Sequence, residues 1–400
     1  MTENNQNLVP EIRFNGFTNA WEQRRLGEIY KERKERGIDS LPILSVSIHH
    51  GVSDEELDGH MLGKEVRRSD DKSLYKRVYA GDLVINMMRA WQGAIGVVKS
   101  DGMVSPAYIT AISNSHVYPL FMDFYLRRDE PIIQMDNLSQ GVTDFRKRLY
   151  WDSFIDITCK LPSLLEQERI SDFFHTFNNI ITLHKRKLDG LRELKKGYLQ
   201  QMFPQAGERE PRVRFAGFSG EWQERKLGEL FKERNERSSE GELISVTINS
   251  GVIKASELER KDNSSEDKSN YKKVEVGDIA YNSMRMWQGA SGISNYAGIL
   301  SPAYTVIIPN EGVDSLFISY MFKLTRMIEI FQSFSQGLTS DTWNLKFPLL
   351  KEIYVTVPCS NEQAAISDFF RIIDEQITAQ AIKLEQLGQL KAAYLQRMFI

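Results

Sequence analysis

The sequence predicts an α+β protein: two homologous, mixed β-rich globular domains separated by two long helices that pair as an antiparallel coiled coil, giving a pseudo-two-fold molecule. Three observations predict it. A long amphipathic stretch occurs twice at a constant offset of 196 residues, at 162–203 and again at 358–399. The motifs between those stretches repeat in the same order. Outside the helices, the repeated motifs are short β-forming runs bounded by Gly and Asp.

The 400 residues suffice for two ordinary domains. A hydrophobic fraction of 41% and an aromatic fraction of 10% fit a packed globular chain. No apolar run approaches the roughly 20 residues that span a bilayer. The opening Met1-Thr-Glu-Asn-Asn-Gln-Asn lacks an apolar signal core, so a cytoplasmic protein is expected. Cys159 and Cys359 do not occupy matching places in the repeat and form no Cys-x-x-Cys, so both are expected to be free thiols in a reducing compartment. The six histidines all precede residue 185, which argues against a repeated metal site. The net charge of −3 means that any nucleic-acid role needs local basic patches, or partners that supply most phosphate contacts.

The repeat runs along the whole chain. Arg13-Phe-Asn-Gly-Phe, Trp21 and Arg25-Leu-Gly-Glu-Ile return as Arg214-Phe-Ala-Gly-Phe, Trp222 and Lys226-Leu-Gly-Glu-Leu. Ser45-Val-Ser-Ile returns as Ser245-Val-Thr-Ile, and Gly81-Asp82 as Gly277-Asp278. Met88-Arg-Ala-Trp-Gln-Gly-Ala returns as Met284-Arg-Met-Trp-Gln-Gly-Ala. Ser105-Pro-Ala-Tyr and Ser139-Gln-Gly return as Ser301-Pro-Ala-Tyr and Ser335-Gln-Gly. So long a period means two tandem domains, not a solenoid. The block at 11–29 repeats the block at 212–230, which follows the first helix. The order is therefore circular, and the N-terminal segment is expected beside the end of the second helix.

Leu83–Met88, Ala94–Val98 and Met103–Ile112 read as strands. A helix is expected near Pro119–Arg128 and near Ser315–Phe331, with Pro119 suited to a first turn. Phe154–Thr158 and Ile353–Val357 read as final strands, stopped by Pro162 and Pro358. Each long helix then covers about 38 residues, or roughly 57 Å at ~1.5 Å per residue. In the first, Ile170, Phe177, His184, Leu191 and Tyr198 fall seven apart, with Phe173, Ile180, Lys187 and Leu194 as a second row and Phe174, Ile181, Leu188 and Met202 widening the stripe. In the second, Ile366, Ile373, Gln380, Leu387 and Tyr394 match, with Phe369, Gln376, Lys383 and Leu390. These are sustained heptads. Polar residues in the middle of both seams would fix register, with the helices crossing near His184 and Gln380.

Catalytic motifs are missing. There is no phosphate loop, no Gly-x-Gly-x-x-Gly, no Asn-Pro-Pro-Tyr and no Gly-x-Ser-x-Gly. Glu32-Arg-Lys and Glu259-Arg-Lys sit in charged runs without a partner aspartate, so no catalytic residue is expected. Gly81-Asp82 and Gly277-Asp278 read as tight turns opening strands.

Arg89, Trp91 and Gln92, with Arg285, Trp287 and Gln288, combine base-edge readers with a stacking ring. A motif kept in both domains fits scaffold support better, with Arg against a carboxylate and Trp in the core. Divergence within the shared frame is the better guide to base readout. His49-His50 faces Asn249-Ser250, and 53–70, with Lys64, Arg67 and Arg68, faces a shorter segment. After Ser-Gln-Gly, 142–151 faces 338–347, offering Arg146, Lys147 and Arg148 in one domain and Thr339, Asn344 and Lys346 in the other. Drift in solvent-exposed loops is the competing explanation.

Both long stretches read Pro-x-x-x-Glu-Gln-x-x-Ile-x-x-Phe-Phe and run out through Leu-x-x-Leu-Lys-x-x-Tyr-Leu-Gln-x-Met-Phe. The carriers are Glu166-Gln167, Ile170, Phe173-Phe174 and Tyr198–Phe203, with Glu362-Gln363, Ile366, Phe369-Phe370 and Leu387–Phe399. With Gly-Asp and Ser-Gln-Gly in both domains, the chain resembles the specificity subunit of a type I restriction–modification system over essentially all of 10–400.

That resemblance implies an N-terminal segment and first target-recognition domain at 1–161, a central spacer helix at 162–204, a second target-recognition domain at 205–357 and a C-terminal spacer helix at 358–400. It implies a non-catalytic subunit that reads a bipartite site on double-stranded DNA, with helices that set the spacing. Two modification subunits using S-adenosylmethionine would be its partners, with two restriction subunits using ATP and Mg where present. No cofactor is expected on this chain itself. Other readings remain open: a subunit serving only a methyltransferase, an exchangeable cassette, or a coiled-coil scaffold whose β-rich domains bind proteins.

Overall fold

The computed structural model describes residues 8–38, 40–48, 51–53, 72–143, 146–258, 267–340 and 342–400. The chain forms two compact units. One comprises 1–184 with 384–400, and the other comprises 185–383. Each is built from the β-rich repeat and from a segment of both long helices, Leu164–Gln201 and Ser360–Arg397.

In the first unit a four-stranded antiparallel sheet runs in the order Tyr30–Glu32, Tyr108–Ser113, Leu83–Asn86, Ile95–Val97. The second unit repeats it with Phe231–Glu233, Tyr304–Pro309, Ile279–Asn282 and Ser291–Ile293. The Leu83–Asn86 strand is apolar at successive positions because it separates two cores. Leu83 and Ile85 join the large cluster with Phe121, Tyr125, Phe154 and Phe174, while Val84 joins a smaller one with Val46, Val78 and Val104. Ile279 and Tyr281 divide from Ala280 in the same way. Alternating side chains face opposite sides of a sheet, so a strand covered on both sides reads as a continuous apolar run.

Four expectations need correction. The helix expected at 119–128 ends at Tyr125 and is followed by a further one, Asp129–Leu138, and the helix expected at 315–331 is two, Ser315–Phe322 and Thr325–Phe334. Residues Arg128 and Leu324 adopt extended backbone and break the turn. The run at 103–112 is two strands, Gly102–Val104 and Tyr108–Ser113, which the Ser105-Pro-Ala turn sends into different sheets. Phe154-Ile-Asp-Ile is not a strand. Trp151–Phe154 is a helical turn, and the strand is Thr158–Leu161. It pairs antiparallel with Glu22–Arg25, whose polar sequence carried no strand signal.

The helix segments run antiparallel within each unit. In the first, Phe173 meets Tyr394 edge-on at 5.2 Å, and Phe174 meets Phe399 at 5.8 Å. In the second, Tyr198 meets Phe369 at 5.0 Å and Lys195 Nζ lies 2.6 Å from Asp374 Oδ1. In the first helix burial follows the widening row of the stripe more than its second row. Phe174, Leu188 and Met202 are buried, whereas Ile180, Leu194 and Leu390 are 39%, 46% and 45% exposed. Lys187, Gln376 and Lys383 also face solvent. Gln380 is buried and His184 is half-buried.

The helix motif Glu-Gln is structural. Glu166 is buried and takes Arg13 in a bidentate pair at 2.6 and 2.7 Å. Glu362 takes Arg214 at 2.7 and 2.8 Å. Gln167 accepts from the Tyr118 amide and donates to the carbonyls of His116 and Pro162. A planar guanidinium matching a carboxylate in this way ties the Arg-Phe-x-Gly-Phe block to the helix start. The structure also brings the N-terminal segment to the end of the second helix: the Ile12 amide donates to the Arg397 carbonyl at 2.9 Å.

Candidate nucleic-acid interface

In each unit the strand at 83–86 or 279–282 runs into a tight turn. The Asn86 side chain accepts from the Met88 amide at 3.1 Å, and Asn282 accepts from Met284 at 3.0 Å. A single 3-10 turn follows, Ala90–Gln92 or Met286–Gln288. It closes on Gly93 and Gly289 at φ 87° and 81°. That left-handed backbone suits glycine, which explains the final Gly of the repeated motif.

The motif's tryptophans are half-buried, which corrects the expected core position. Their ring N–H groups donate to the carbonyls of Met88 and Met284. Arg89 is half-buried and Gln92 exposed, while the exposed Arg285 donates to the half-buried Gln288 at 3.3 Å.

Over these rings folds the divergent hairpin after Ser-Gln-Gly. A Cβ on Gly141 would lie 2.6 Å from the Arg146 carbonyl oxygen, and one on Gly337 2.6 Å from Thr342 backbone. Only glycine lets the returning strand approach so closely. The return is pinned by a two-residue bridge, Gln140 with Arg148 and Gln336 with Asn344. One residue on, the Leu149 amide donates to Met87 and the Leu345 amide to Ser283.

The sequence-predicted residues distribute as follows. Arg146 is exposed at the hairpin. Lys147 pairs with Asp136 and lies 5.2 Å over the Trp91 ring, so it is engaged within the unit. At the equivalent place Trp343 meets Trp287 edge-on at 5.2 Å. Thr339 is exposed and braced by Thr342. Arg148 donates to the Lys147 carbonyl. Asn344 and Lys346 line a cleft of about 450 Å³ with Glu233, Lys272, Ser283 and Tyr304. Lys64, Arg67 and Arg68, and His49-His50, lie outside the described residues.

Sequence reasoning missed Trp343 and the cleft wall at Tyr304. The shared Ser-Pro-Ala-Tyr motif was the available signal for the latter. Asp82 and Asp278 are buried against Arg33 and Arg234, with Arg234 Nε 2.7 Å from Asp278 Oδ2. That hydrogen bond holds the Arg234 guanidinium above its usual range. Among the described residues there is no metal-competent cluster of His, Cys, Asp and Glu, and no helix long and apolar enough to cross a membrane.

The repeated β-rich frame thus presents a different hairpin in each copy. Residues 219–388 match the family described as Type I restriction modification DNA specificity domain, the same kind of protein that the repeated motifs resemble. Over 192 residues the chain is 22% identical to the Type I restriction enzyme MjaVIII specificity subunit of Methanocaldococcus jannaschii. That stretch covers 46% of this chain and 42% of the relative, less than half of its length.

The S subunit of a type I restriction–modification system from M. genitalium has a similar fold. Its TM-score is 0.60 at 14% identity, over 98% of this chain and 99% of that one. A chain from a structure concerned with complex assembly and conformational transition of the type I R-M system has a TM-score of 0.51 at 16% identity, over 96% and 99%.

Proposed function

We propose that this chain is the DNA specificity subunit of a type I restriction–modification complex and is itself non-catalytic. Each unit reads one half of a bipartite duplex target, and the long helices set the separation of the half-sites, on the order of one DNA turn (~34 Å). The observation that carries this reading is the hairpin after Ser-Gln-Gly. Its backbone is pinned identically in both units while its side chains differ, as two readers of different sequences require.

The partners are two modification subunits carrying S-adenosylmethionine and, where present, two restriction subunits using ATP and Mg. The near-neutral charge supports a chain that relies on partners for much of the phosphate contact. Leu183, Leu194, Ile372, Ile382 and Leu390 are exposed apolar residues on the long helices, which supports partner docking there.

The test is co-purification with a methyltransferase, followed by methylome sequencing with and without this gene. Loss of one bipartite methylated motif on deletion is expected. An unchanged methylome would overturn the reading and favour a protein-binding scaffold. Deleting one heptad from one helix is expected to alter spacing or abolish assembly and to leave half-site identity intact.

A further inference from the structure

We propose that Arg148 and Asn344 are an equivalent pair of base readers, Arg148 taking a guanine in one half-site and Asn344 an adenine in the other. The inference rests on the function proposed above and deepens it.

Three constraints put the two residues at one place in the fold. Each is bridged through both backbone groups to the Gln of Ser-Gln-Gly: Arg148 to Gln140 at 2.8 Å in both directions, and Asn344 to Gln336 at 2.8 and 3.1 Å. Each is followed by a leucine, Leu149 or Leu345, that is fully buried and bonded by its amide to the residue after the strand's Asn. Each is preceded by a residue that packs on the repeated tryptophan, Lys147 on Trp91 and Trp343 on Trp287. Backbone drift therefore does not explain the difference between them; only the side chain has changed.

The change is chemically pointed. A guanidinium matches the O6 and N7 acceptors of guanine, and a carboxamide matches the N6 donor and N7 acceptor of adenine, both in the major groove. Asn344 carries the further mark of an interrupted bond. Its Oδ1 is buried and has no hydrogen-bond partner, although it lines the cleft with Ser283, Tyr304 and Lys346. An unpaired buried acceptor is destabilising unless a ligand completes it. With the carboxamide turned into the cleft, its oxygen accepts from the exocyclic amine of adenine while its nitrogen donates to N7. Lys346, two residues on, is exposed and supplies a cation beside the same cleft.

The experiment uses the full chain assembled with its modification subunit, after methylome sequencing has given the motif. Failure to find a bipartite motif would sink the specificity-subunit reading itself. With the motif in hand, each adenine and guanine is replaced singly by its 7-deaza analogue, which lacks the N7 acceptor, and binding is measured. One 7-deaza-adenine in one half-site is expected to weaken wild-type binding about tenfold. Asn344→Ala should bind the natural duplex about tenfold more weakly and be indifferent to that analogue. Arg148→Ala should show the same pattern for one 7-deaza-guanine in the other half-site.

The pairing is overturned if wild-type binding depends on no adenine N7 in one half-site, a result that needs no variant to fold. It is also overturned if Asn344→Ala and wild type lose the same factor at every analogue, or if both variants report on the same half-site.

Discussion

The Ile12 amide donates to the Arg397 carbonyl at 2.9 Å, and the Val213 amide donates to the Gln201 carbonyl at 3.0 Å. These are the same contact in the two units. In the second unit an unbroken segment makes it; in the first, the two ends of the chain make it. Arg128 and Arg326 reinforce the closures through the carbonyls of Ile400 and Pro204. Phe399 fills the first unit's core against Trp21, Phe121, Tyr125 and Phe174.

Phe399→Ala is therefore expected to destabilise the first unit by about 3–5 kcal/mol, the usual cost of a truncated buried aromatic. Hydrogen exchange should rise across 8–184, with 205–357 unchanged. Equal loosening of both units would contradict the closure.

The Arg214–Glu362 pair joins its unit's first block to its helix start while nearly withdrawn from water. Removing one partner leaves a buried charge, so Glu362→Ala should cost about 3 kcal/mol by denaturant unfolding. Replacing both, with Arg214→Met and Glu362→Leu, should cost clearly less, because no charge is stranded. A double variant as damaged as the single one would point to lost packing instead.

The two cysteines should differ in reactivity. Burial pushes the Cys159 thiol up to about 12, whereas Cys359 is exposed. At pH 8 iodoacetamide is expected to label Cys359 in the folded chain and Cys159 only after unfolding, read by mass spectrometry. The folded-state pKa of Cys159 lies above its unfolded value of 9.0, so the folded state holds its proton longer. This group accordingly subtracts stability as pH rises from about 9 toward 12.

Replacing Arg146, Lys147 and Arg148 together with alanine should relax one half-site only, read by methylome sequencing. Gly337→Ala should do the same to the other half-site, because the new Cβ meets Thr342 backbone while the core below is untouched. Loss spread equally over both half-sites would refute the assignment of one hairpin to each.

The tandem repeat and the long helices were legible because each leaves a periodic trace. Alternating and heptad patterns record which face is buried, and a 196-residue offset records duplication. The strand at Glu22–Arg25 left no such trace, since its polar side chains stay largely in water and its place is set by backbone pairing to Thr158–Leu161. The helix rows were half legible. Heptad spacing allows either Ile180 and Leu194 or Phe174 and Leu188 to face inward beside the first row, and packing buried Phe174 and Leu188.

The candidate interface followed the same division. Ser-Gln-Gly and the repeated Met-Arg-x-Trp-Gln-Gly motif stood out in the sequence, but nothing in it said that the hairpin folds over that tryptophan. Nor did it say that Arg148 and Asn344 stand at one bridged position.

By itself the sequence determined that two copies of one β-rich unit alternate with two amphipathic helices, because composition and spacing carry that information locally. Only the tertiary structure decided which ends meet, which acid takes which arginine, and which divergent side chain is held on a shared backbone. Those are contacts between residues far apart in the chain, and their geometry exists only once the cores have packed.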